Sequence, residues 1–114
     1  MSHKPILKVY GNISPVSEDF FTELAAVCAR ALPASRAVPV LSRDGDTAGI
    51  SFEGIWFPVE ELLKTLSRCV TQAHTGRLDV LDMENWRLDR CVIAQGTLCA
   101  SSAPLNNVLE FSGL

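Results

Sequence analysis

The densest group of side chains able to do chemistry lies between Arg77 and Arg90, where Asp79, Asp82, Glu84 and Asp89 alternate with Arg77, Arg87 and Arg90. On a regular strand Asp82 and Glu84 point to one side and Asp79 to the other, which brings two carboxylates to a spacing suited to acid–base work or a divalent cation. Such sites need several convergent ligands in a cleft, and no third acid or histidine is placed by the spacing. Ion pairs with Arg87 or Arg90 on the surface are the simpler use. A ligand cleft drawing on Asp82, Glu84 and His74 is retained as the alternative.

Other chemistries find less support. Cys28, Cys69, Cys91 and Cys99 include no Cys-x-x-Cys pair for zinc or redox exchange, so four free thiols serving as small core residues are expected. A nucleophilic cysteine needs a base, and only His3 and His74 exist; His74 falls in the last turn of a helical pattern, where a favourable interaction with the helix end is its simplest use. Asp44, Asp46 and Gly49 mimic the start of a calcium loop, but Ala48 and Ile55 stand where oxygen ligands must be. Phosphate-binding, dinucleotide, metalloprotease and serine-hydrolase motifs are absent from the sequence. No metal or cofactor is expected.

Trp56 and Phe57 lie at a strand-to-helix junction and Trp86 at a strand start. Tryptophan concentrates at interface hot spots, so these residues, with Leu105 and Phe111 of the C-terminal stretch, are candidates for a contact surface. Sealing the core edges is the competing use of the same rings.

These side chains must be positioned by elements that the hydrophobic pattern marks out. Residues 5–10 alternate as a strand and stop at Gly11-Asn12. Ser17 caps a helix opened by Glu18 and Asp19, whose stripe of Phe20 or Phe21, Leu24, Cys28 and Ala31 or Leu32 runs to Pro33. Runs at 37–41 and 47–52 flank Asp44-Gly45, a hairpin signal. Pro58 opens a second helix with the stripe Val59, Leu62, Leu63, Leu66 and Cys69, ending by His74 and Gly76. Residues 77–83 and 86–93 read as strands four and five. Residues 95–103 read as a loop with a brief strand at 97–100, and Pro104 as the start of a short helix.

The order strand, helix, hairpin, helix, strand over residues 5–83 predicts an α+β, ferredoxin-like βαββαβ antiparallel sheet with both helices on one face. A C-terminal extension, 84–114, then either covers the open face or lengthens the sheet. An α+β sheet in which strands four and five form a second hairpin is the alternative. The whole chain of 114 residues fits one domain, with 47% hydrophobic and 20% charged residues, which excludes a disordered or low-complexity chain. Its net charge of −3 gives no pull toward nucleic acid or anionic lipid. No apolar run is long enough for a membrane helix, and the opening Met-Ser-His-Lys-Pro has no signal-peptide stretch, so a cytoplasmic location is expected. These observations converge on a non-enzymatic interaction or regulatory module that works through a sheet face or edge, most simply as a homodimer.

Overall fold

The computed structural model describes residues 7–105. Its elements are β1 (Leu7–Ser14), α1 (Glu18–Cys28), β2 (Leu32–Pro33), β3 (Leu41–Asp44), β4 (Thr47–Trp56), α2 (Val59–Cys69), β5 (Thr75–Asp82), β6 (Arg87–Ala94) and β7 (Thr97–Pro104). All seven strands form one antiparallel sheet in the order β2-β4-β1-β5-β6-β7, with β3 beside the first part of β4. This overturns the ferredoxin-like expectation. A four-stranded βαββαβ sheet would end at β5, whereas here the sheet runs on through β6 and β7, and the C-terminal residues lengthen the sheet by a second hairpin and a third.

Period-two alternation selects the faces. Val9 and Ile13 on β1, Ala48, Ile50 and Phe52 on β4, Leu78 and Val80 on β5, and Cys91 and Ile93 on β6 form a single buried cluster with Phe20, Leu24 and Val27 of α1 and Leu62 and Leu66 of α2. Both helices therefore cover the same sheet face. Ion pairs join their exposed sides, Arg68 with Glu23 at 3.1 Å and Arg30 with Glu61. Between β1 and β5 the backbones approach so closely at Gly76 that a Cβ there would lie 2.2 Å from the carbonyl oxygen of Asn12.

Several boundaries differ from the sequence expectation, each for a local reason. The Ser17 Oγ accepts the Phe20 N–H at 3.1 Å, as expected of the cap, but α1 stops at Cys28. Tight bonds from the Arg30 N–H to the Val27 carbonyl and from Ala31 to Cys28 end it, and Leu32, which precedes proline, turns extended to pair with β4. The run 37–41 is not a strand. Residues 34–40 arch away from β4, held at their ends by the Ala34 N–H on the Glu53 carbonyl and the Ser51 N–H on the Val40 carbonyl, and pairing resumes only at Leu41. The hairpin beyond it turns on Gly45 and Asp46, with only Gly45 at positive φ, so the turn sits one residue later than the Asp-Gly signal implied. Pro58 is the N-cap of α2 and not its first helical residue, and the helix ends at Cys69 because Val70 is extended. Finally, Gln95 and Gly96 both take positive φ, 54° and 78°, the requirement of a two-residue type I′ turn, and return the chain as β7. The stretch read as a loop with a brief strand at 97–100 is thus an eight-residue strand, and Pro104 closes it as its last residue. The remainder of the expected short helix, with Phe111, lies outside the described residues.

Candidate interaction edge

The face of the sheet away from the helices carries Lys8, Tyr10 and Asn12 on β1, Ser51 and Glu53 on β4, Arg77, Asp79 and Leu81 on β5, and Leu88, Arg90 and Val92 on β6. Its charges are paired. Arg90 donates through Nε and Nη2 to the two Asp79 carboxylate oxygens at 2.8 and 3.2 Å, and Arg77 stands 3.6 Å from the same carboxylate. The Tyr10 hydroxyl donates to Glu53 at 2.7 Å, with Lys8 4.0 Å from that carboxylate. Burial first, then the hydrogen bond to Glu53 and its negative charge, push the Tyr10 phenol up from 10.0 to about 12. The charged groups of this face satisfy one another, while Leu88 beside Arg90 is only 3% exposed and the Asp79–Arg90 pair is itself largely buried.

The predicted carboxylate pair does not form. Asp82 closes β5 and folds its side chain into the following turn: Oδ1 accepts the Glu84 and Asn85 N–H groups at 3.1 and 3.0 Å, and Oδ2 accepts the Asn85 amide at 2.8 Å. These bonds, the Asn85 backbone one foremost, hold its carboxyl below the usual value. Glu84 is in that turn and not on a strand, so the assumed regular alternation fails. His74 sits just before the other end of β5, roughly 26 Å away for eight strand residues. Its Nδ1 accepts the Thr71 N–H at 2.9 Å and its ring meets Phe20 edge-on at 5.0 Å, a local role in the loop after α2. Among the described residues no three His, Cys, Asp or Glu side chains are grouped to hold a metal ion.

The aromatic candidates divide. Phe57 is buried and packs on Phe52 at 5.1 Å, sealing the core. Trp56 and Trp86 are exposed at the same end of the sheet, separated by three strand spacings, roughly 14 Å. Trp86, at positive φ, accepts the Leu105 N–H on its carbonyl at 2.9 Å, so Leu105 belongs to this end as well. A surface concavity of about 340 Å³ lies here between Trp86 and Arg87 on one side and Ser102, Ala103 and Pro104 on the other; neither Asp82 nor Glu84 lines it.

The sequence reading placed only a brief strand at 97–100 and missed that β7 runs on to Pro104 as a full edge strand. Hydrogen bonding to β6 is fixed in phase by the two-residue turn and by the Leu105–Trp86 bond: residues 97, 99, 101 and 103 bond inward to 94, 92, 90 and 88. The N–H and C=O groups of Leu98, Ala100 and Ser102 therefore point outward, where β7 has no strand partner among the described residues. Natural sheets guard such edges with charge, proline, bulges or brevity. The opposite edge does so: β2 and β3 have two and four residues, Pro33 stands in one, and the arch at 34–40 separates them. The edge of β7 carries Thr97-Leu98-Cys99-Ala100-Ser101-Ser102-Ala103-Pro104, without a charge or a bulge, its proline at the far end, and its residues mostly exposed. The dipeptide Gln95-Gly96 between Val92-Ile93-Ala94 and Thr97-Leu98 is the sequence signal that marks this hairpin.

Comparison with known proteins adds no relative: no family model, curated protein or solved structure matches the chain. No helix of the described residues is long and apolar enough to cross a membrane.

Proposed function

We propose that this protein is a non-enzymatic interaction module that receives an extended segment of a partner protein along the edge of β7. The observation that carries the reading is that edge: eight residues long, regular, uncharged and without a strand partner among the described residues, on a sheet whose other edge is short and interrupted. Strand addition uses such a row of outward amides and carbonyls for affinity, and alternate side chains for selectivity. Trp86, exposed beside the Pro104 end of the edge, supplies an aromatic anchor of the kind that dominates contact energies. The paired charges of the open face direct this reading to the edge. A reducing, cytoplasmic setting suits the four free thiols.

Selection of extended peptides from a displayed library tests the reading, with Ala100→Pro as the control. Proline at position 100 removes an outward donor and no bond to β6, the one kind of strand position that tolerates it. Peptides that bind the protein and lose binding to Ala100→Pro, without change in its thermal midpoint, are the expected result. Failure to select any peptide sensitive to this substitution, together with the absence of any β7-dependent self-contact, overturns it.

A further inference from the structure

Resting on that reading, we infer that the segment received by β7 is the β7 strand of a second copy, paired antiparallel about a two-fold axis through Ala100. The phase of the ladder limits the choices. Outward groups must meet outward groups, so the axis passes through a residue and not between two. Through Ala100, the wide pairs are Ala100 with Ala100 of the second copy and Leu98 with its Ser102, each exchanging two hydrogen bonds, while Cys99 faces its Ser101 and Thr97 its Ala103. Through Ser101, Pro104 would face Leu98, and its missing N–H would leave a carbonyl unmet. Through Cys99, Ser102 would face Gly96, which belongs to the turn and not the strand. Of these three axes only the one through Ala100 satisfies both the outward donors and the outward acceptors of Leu98, Ala100 and Ser102.

Charge allows the same choice. With no charged side chain in residues 97–104, two copies bring no like charges face to face across the axis, despite the net charge of −3 on each. The small Ala100 side chains meet on the helix-bearing side, so the two backbones approach without hindrance. The axis stands perpendicular to the sheet: two seven-stranded sheets become one, with both pairs of helices on one side and both charge-paired faces on the other.

Sedimentation velocity from low to high micromolar concentration tests the pairing, and disulfide mapping tests the register. The wild type is expected to pass from monomer to dimer. Ala100→Pro removes both donors on the axis, and Ser102→Lys sets a cation into the edge. At up to roughly tenfold in equilibrium constant per net hydrogen bond, the first raises the dissociation constant by up to about a hundredfold. Ala100→Pro is expected to keep the wild-type thermal midpoint as a monomer, and Ser102→Lys, which exchanges the Ser102 hydroxyl bond to Asp89 for an ammonium beside that carboxylate, to remain a cooperatively folded monomer. In Ser101→Cys, mild oxidation with copper phenanthroline is expected to join Cys99 of one copy to the new thiol of the other, as shown by peptide mass mapping. A wild type that stays monomeric, or a dimer indifferent to both substitutions, overturns the inference. A mapped bond between two Cys99 or between two introduced thiols overturns the register. A monomer that still binds library peptides through Ala100 retains the strand-receiving reading and discards self-pairing, so the two failures are distinguishable.

Discussion

Tyr10 and the cysteines carry their consequences at the scale of single side chains. The fold keeps the Tyr10 phenol neutral to about pH 12, against 10.0 ordinarily, because it is partly buried and donates to Glu53. A group whose folded value is raised contributes its full stability below the unfolded value and loses it as pH rises through the folded one. Stability is therefore expected to fall between pH 10 and about pH 12, with a shallower fall in Tyr10→Phe, as followed by thermal midpoints across that range. The thiols differ by the same logic. Burial pushes Cys28 up to about 11, and the thiolate is the reactive form, whereas Cys99 is exposed on β7. Alkylation at pH 8 with mass mapping is expected to modify Cys99 first and to reach Cys28 only under denaturing conditions. That Cys99 departs from the buried role expected of all four could not be read from its own identity; it follows from its place on a strand without a covering layer.

Elements that bury one face were legible, and those that bury none were not. Ser17, with Glu18 and Asp19 behind it, located the start of α1, and the run 47–52 beyond the Asp44-Gly45 signal located β4, whose Ala48, Ile50 and Phe52 are buried, because capping and burial both leave a pattern. Residues 37–40 carry strand-like side chains yet arch outward, since β4 is bonded there only at Ser51 and Glu53. β7 has the reverse character: Thr-Leu-Cys-Ala-Ser-Ser-Ala shows no apolar alternation, and its strand state comes from the positive-φ turn at Gln95-Gly96 and the register with β6. The candidate edge was therefore hidden where hydrophobic periodicity is silent, and the acids that caught attention serve a turn. Close contact between elements makes its own demand at Gly76. With a Cβ 2.2 Å from the Asn12 carbonyl oxygen, Gly76→Ala is expected to force β1 and β5 apart and to lower the stability obtained from urea unfolding by about 1–3 kcal/mol.

Among the described residues one buried cluster is shared by both helices and four strands, so the protein is expected to unfold as a unit. Leu66, fully buried at the centre of α2, measures this: Leu66→Ala is expected to cost about 2–5 kcal/mol in a single urea transition, with fluorescence and circular dichroism giving the same midpoint. Two transitions would show that the helices and the sheet are not coupled through that cluster. The same distribution of packing leaves β7 with Leu98, at the margin of the cluster, and the Ser102 hydroxyl donating to Asp89 as its side-chain anchors on the helix side. Its attachment depends on backbone bonds to β6, so this terminal ribbon has the least to lose by peeling away. Local opening of that kind spans free energies well below that of global unfolding, and the molecule thereby carries a replaceable border, one that natural variation can lengthen, shorten or re-letter while the interior keeps its shape.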